Sequence, residues 1–195
     1  RRQRQMCIRD RENIDGYVVP KNDEFFSEFS KIDRLKIISN FSGSAGYAII
    51  LKKKNYLFVD GRYTIQAQIE SGKNFIITEY HKIVNCNLFK NLTLGINPKL
   101  FTSNQIKKFF LKNNKIKLIK TDLIKQNSEK KLNNLKSFFS LDELIVGESH
   151  KKKINKIINF LKKNKSNFIF ITAPENVAWL LNIRGYDNPN SPIPN

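Results

Sequence analysis

Strand-like runs recur along this chain at short intervals, each separated from the next by a tight turn or a single helical pattern. "IDGYVVP" at residues 14–20 is a short apolar run stopped by proline. "YAIIL" and "YLFVD" flank a lysine-rich turn and predict a β-hairpin. "NFIITEY", "TLGIN" and "KIKLIK" follow, the last alternating as a half-buried strand does. Between them, "DRLKIISNF" predicts a short helix capped by Asp33. "GRYTIQAQIESG" predicts one closed at Gly72, and "TSNQIKKFFLKNN" one capped by Thr102 or Ser103. Strands alternating with helices at this spacing restrict the chain to an α/β fold.

Residues 121–147 carry a polar stretch, "KQNSEKKLNN", that suits a domain linker. A new unit starts at Ser149. It reads helix "SHKKKINKIINFLKKN", strand "NFIFITA" and helix "PENVAWLLN" with Pro174 at its first turn, and the tail "NIRGYDNPNSPIPN" reads as loop. The organisation expected is a non-native head at 1–11, a first domain at 12–125, a linker at 126–148 and the truncated start of a second, similar domain at 149–195.

The net charge of +18 invites a nucleic-acid reading. Its distribution argues otherwise. Five of the eight arginines lie in the first eleven residues, "RRQRQMCIRDR", a head set aside from fold reasoning because its residue usage breaks from the rest. Beyond it stand Arg34, Arg62, Arg184 and 27 lysines. The lysine runs at 52–54, 107–108 and 151–153 read as solvated faces, without the arginine and aromatic interleaving of a nucleic-acid surface. No apolar run approaches the ~20 residues of a membrane span. Cys7 and Cys86, the two cysteines, cannot build a disulfide framework and fit a reducing compartment.

Candidate chemistry is sparse. "SGSAG" (42–46) sits between a helix and a strand, the reverse of a dinucleotide loop, so it reads as a turn of small residues that allows close backbone approach. His81 and His150 have no nucleophile pattern around them, and no spacing suggests metal ligands. "DEFFSE" gathers three acids among aromatics, as a packed loop would. What remains is the turn Asp60-Gly61-Arg62-Tyr63, where a glycine is expected to serve the turn itself. In a body that otherwise uses lysine, each arginine suggests a need for the planar guanidinium. Arg62 either pairs with Asp60 and staples the turn or presents its donors to a carboxylate or carbonyl. The same two readings apply to Arg184 with Asp187.

Four stretches in order, "GYVVPKNDEFFSEF", "DRLKIISNFSGSAGYAII", "LFVDGRYTIQAQ" and "NVAWLLNIRGYDNPNSPIP", resemble the N-terminal half of the aminopeptidase P family, with its creatinase/prolidase N-terminal fold. The likeness covers about residues 14–195 with a divergent middle. It implies a mixed sheet flanked by helices and the beginning of a second such domain. It also implies a catalytic domain, outside this chain, where two divalent metals (manganese in the family) serve hydrolysis of an Xaa-Pro bond. The chain itself would hold no catalytic residue, metal ligand or cofactor. The resemblance further implies a cytoplasmic enzyme, homodimeric at full length, acting on peptides with proline second, with no nucleic-acid or membrane partner. It assigns Arg62 to substrate binding, with Asp60 able to orient it, Tyr63 and Ile65 anchoring the next helix, and Trp179 and Leu180 packing a domain interface. A catalytically dead peptide- or histone-binding module of the same fold is the alternative.

Overall fold

The computed structural model describes residues 12–26, 30, 32–84, 90–124, 137–186 and 191–194. The head at 1–11, residues 126–136 of the expected linker, Cys7, Cys86 and Asp187 lie outside them. The chain divides into two compact units, Arg1–Lys130 and Lys131–Asn195.

The first unit is built on a six-stranded sheet of β1 (Gly16–Pro20), β2 (Gly46–Leu51), β3 (Asn55–Val59), β4 (Ile76–Glu79), β5 (Thr93–Ile96) and β6 (Lys115–Leu118). The order across it is β4-β3-β2-β1-β5-β6. The β1–β2 and β2–β3 pairs are antiparallel, whereas β3–β4, β1–β5 and β5–β6 are parallel, so the sheet is mixed. Side chains alternate across each strand. Tyr17, Val19, Ala48, Ile50, Leu57 and Val59 enter one cluster with Leu35, Phe41 and Ala67. Val18, Tyr47, Ile49, Phe58, Leu94 and Ile96 enter another with Phe101 and Phe110. Both faces of the central strands are covered, which is why their sequences are continuously apolar. The β6 edge instead exposes Lys115 and Lys117, a pattern that discourages strand addition.

Helix α1 (Arg34–Ser39) is capped by Asp33, whose side chain accepts from Lys36 N, and ends at Asn40 in the left-handed region (φ 73°). Helix α2 (Thr64–Ser71) crosses from β3 to β4. Gly72 closes it, as expected, with a right-handed φ of −58° and its N–H donating to Gln68 O. Helix α3 (Ser103–Ile106) begins with Thr102 and Gln105 in a reciprocal capping box, then widens into a π-turn at Lys107–Leu111. The wide turn lets consecutive Phe109 and Phe110 both pack against the second cluster. In "DEFFSE" the packed-loop expectation fails for the aromatics. Phe25 and Phe26 are exposed, and the order comes from Asp23 accepting from Phe25 N.

In the second unit β7 (Phe138–Ser140) pairs antiparallel with β8 (Ile183–Gly185). The tail expected as loop therefore contributes a strand. Helix α4 (Glu143–Val146) runs from an Asp142 cap to Gly147 at φ 75°, within the stretch expected as linker. Helix α5 (His150–Lys163) is capped by Ser149, and α6 (Pro174–Leu181) has its proline in the first turn. "NFIFITA" forms no strand. No described residue pairs with it, and Phe168 and Phe170 are exposed. A strand pattern becomes a strand when a neighbour supplies the ladder, and none among the described residues does.

Lys153 departs from the solvated-face expectation for 151–153, being 4% exposed. Its ammonium donates to Trp179 O at 2.8 Å and to Asn182 Oδ1 at 2.6 Å and lies 4.2 Å from the Trp179 ring centre. It thereby satisfies a carbonyl at the negative end of α6.

Candidate functional site

Strand β3 ends at Val59, and the next four residues turn the chain into α2. Asp60 is extended (φ −61°, ψ 147°) and caps a 3₁₀ turn over Gly61–Tyr63. Its Oδ1 accepts from Arg62 N at 3.0 Å and from Arg62 Nε at 2.9 Å, while Oδ2 accepts from Nη2 at 3.4 Å. One carboxylate thus grips both the backbone and the Nε–Nη2 edge of the same arginine. The guanidinium carbon also lies 5.7 Å from the Tyr63 ring centre, a cation–π distance. Side-chain and then backbone donation from Arg62 hold the Asp60 carboxyl below the ordinary aspartate value. A carboxyl depressed in this way contributes fully at neutral pH, and the contribution is lost as pH falls through the lowered value.

The turn rests on a braced floor. Tyr63 meets the Phe41 ring edge-on at 5.9 Å, and its hydroxyl lies 3.0 Å from Ser44 Oγ. Glu70 of α2 accepts from Ser42 N at 2.7 Å and Ser42 Oγ at 2.8 Å, and Gln66 donates to both Ser42 Oγ and Glu70. The two glycines of "SGSAG" sit where a side chain would crowd its neighbours. A Cβ on Gly43 would stand 2.2 Å from the Phe41 ring, and one on Gly46 would stand 2.9 Å from Phe58 O. Gly61 differs: its φ is not left-handed and an added Cβ meets nothing within 4 Å. The turn therefore does not need its glycine, contrary to the sequence expectation. Ile65 does not anchor α2 either. It is 76% exposed and with Ile69 borders a shallow groove against Ile77 and Thr78 of β4. Tyr63 does the anchoring.

Arg34, Arg62 and Arg184 divide by burial. Arg34 is 5% exposed, and its Nε donates to Asp122 Oδ2 at 2.8 Å, tying α1 to the segment after β6. Arg184 donates through Nη1 to Ala178 O and Ile183 O, holding the end of α6. Both are used by the fold. The Arg62 side chain is 77% exposed. His81 is exposed beside Glu79, and His150 is exposed at the start of α5. Among the described residues no group of three or more His, Cys, Asp or Glu could hold a metal ion. No helix among them is long and apolar enough to cross a membrane.

Residues 1–126 match the family model of the creatinase/prolidase N-terminal domain, and residues 129–195 match a second model of the same description. The chain belongs to the creatinase/prolidase N-terminal domain family. Among its relatives, the probable Xaa-Pro aminopeptidase P of Coprinopsis cinerea is 31% identical over 94% of this chain and 32% of its own length. Xaa-Pro aminopeptidase 1 of Dictyostelium discoideum is 29% identical over 93% of this chain and 33% of its own length. The solved X-prolyl aminopeptidase of Caenorhabditis elegans, described as a cytosolic enzyme with a di-nuclear active site, superposes with a TM-score of 0.78. It is 25% identical over 92% of this chain and 32% of its own. The chain thus spans about a third of the length of the relatives it matches. The mixed sheet expected from the resemblance is the sheet observed.

Proposed function

We propose that this chain is the N-terminal, non-catalytic part of a dimetal Xaa-Pro aminopeptidase and that Arg62 binds the peptide substrate. The observation that carries the reading is the turn itself. Asp60 and Tyr63 hold an exposed guanidinium at a strand end, on a floor braced to α2. A pre-oriented cationic fork is suited to peptide oxygen atoms, because little side-chain freedom remains to be lost on binding. Likeness to Xaa-Pro aminopeptidases along most of the chain supports the substrate class, peptides with proline second.

The two divalent metals, manganese by the same reading, belong to a portion of the protein beyond this chain. The described residues offer no ligand set for them. The intact protein acts in the cytoplasm as a homodimer. The isolated chain has no peptidase activity; manganese-dependent release of the first residue of an Xaa-Pro peptide by it would overturn that.

The test of Arg62 uses the full-length protein and compares Arg62→Lys and Arg62→Ala with the parent in Michaelis parameters and Tm. Lysine keeps the charge and loses the fork, so KM rises about tenfold with little change in kcat and in Tm. A large loss of Tm with unchanged kinetics would make the motif a turn staple and nothing more.

A further inference from the structure

The two edges of the six-stranded sheet differ. Lys115 and Lys117 guard the β6 edge, whereas β4 reads Ile76-Ile77-Thr78-Glu79, with neither lysine nor proline, and pairs with β3 without a bulge. No described residue pairs with its outer side. An unguarded apolar edge is a template for a further strand. Beside this edge α2 presents Ile65 and Ile69, one helical turn apart and 76% and 79% exposed, which line a groove with Ile77 and Thr78. A single exposed isoleucine is ordinary, but a stripe of them along a free strand edge marks an interaction surface.

We propose that β4 pairs antiparallel with β4 of a second copy of this chain, joining two sheets across a two-fold axis. The occupant follows from self-complementarity. Ile77 and Glu79 face the α2 side, because their β3 partners Leu57 and Val59 belong to the cluster that contains Ala67 of α2. Ile76 and Thr78 face the other side, opposite Tyr56 and Phe58. A two-fold axis perpendicular to the sheet keeps like sides together, so residues of the same side must oppose each other. Centred on Ile77, this register sets Ile77 against its own copy and Ile76 against Thr78. The Ile65–Ile69 stripes of the two α2 helices then meet over the seam. The same register brings Lys73 of each copy diagonally towards Glu79 of the other, within reach of long side chains. Lys73 is exposed, and within one copy Glu79 meets only exposed cations, His81 at 3.2 Å and Lys82 at 3.6 Å, pairs weak enough to be exchanged. The patch therefore carries both signs of charge, although the chain as a whole is strongly basic. The inference goes beyond the homodimer proposed for the intact protein, since it names a surface by which this chain associates on its own. It rests neither on Arg62 nor on peptide binding.

The test is sedimentation velocity of this chain over a range of concentrations at about 150 mM salt, where like charge is screened beyond ~8 Å. The expected result is a monomer–dimer equilibrium with a Kd of ~10–100 μM, as suits a small interface. The double variant Ile65→Lys/Ile69→Lys, at exposed positions, remains monomeric throughout and keeps the parent Tm. Lys73→Glu and Glu79→Lys each weaken association by about fivefold, the scale of a pair of exposed charge contacts, and the two together restore it. A parent chain that stays monomeric up to ~500 μM overturns the proposal, that limit being several times the expected Kd. So does association that survives Ile65→Lys/Ile69→Lys, which would place the contact on another surface. A charge exchange that fails to restore association also overturns it, because the pairing of β4 with its own copy in this register requires the rescue.

Discussion

Lys153 gives the sharpest quantitative expectation. It is a buried ammonium held by a main-chain carbonyl, an asparagine oxygen and an indole face. Lys153→Met keeps most of the side-chain volume and removes the charge. Two charge-assisted hydrogen bonds of roughly 1.5–3 kcal/mol each and a cation–π contact of roughly 0.5–2 kcal/mol are lost. Against that, the variant no longer desolvates an ammonium on folding, which returns several kcal/mol. Two partners then remain poorly satisfied. Asn182 is 5% exposed and loses its partner at Oδ1, while Trp179 O keeps a long bond from Asn182 N at 3.4 Å. The net expectation is a loss of about 2 kcal/mol. Lys151→Met, at an exposed position on the same helix, should cost less than about 0.5 kcal/mol. Trp179 is the single tryptophan, so its fluorescence through a urea titration follows the second unit directly. Equal midpoints for the two variants would refute the reasoning and return Lys153 to the solvated face that its sequence suggests.

Gly61→Ala should leave Tm unchanged or slightly raised, by up to about 1 kcal/mol equivalent, because the native φ suits alanine and the space is open; a fall in Tm would show that the turn needs glycine after all. Arg34→Met should destabilise the first unit by about 3 kcal/mol in chemical unfolding, since it breaks the buried pair with Asp122. A loss under about 1 kcal/mol, the range of exposed pairs, would mean that the pair is not energetically buried.

The sequence by itself determined much that is local. Asp33, Thr102, Ser149 and Pro174 start helices where their side chains or ring geometry dictate, because capping depends on the three or four residues that follow. The continuously apolar runs became the central strands, and the alternating "KIKLIK" became an edge. Asp60-Gly61-Arg62-Tyr63 stood out in the sequence because arginine is rare in a lysine-rich body. Tertiary structure decided whatever depends on a partner distant in the chain. The order β4-β3-β2-β1-β5-β6 follows from which ladders close, and no local pattern encodes that. "NFIFITA" has every local mark of a strand and is not one among the described residues, whereas the short β7 and β8 exist because each finds the other. Lys151, Lys152 and Lys153 are identical as letters, yet the third turns inward because Asn182 and the end of α6 stand within its reach. Asp60 shows the same division on the smallest scale. Its place beside Arg62 is sequence; its bond to one chosen edge of the guanidinium, with Tyr63 fixed beneath by Phe41 and Ser44, is packing.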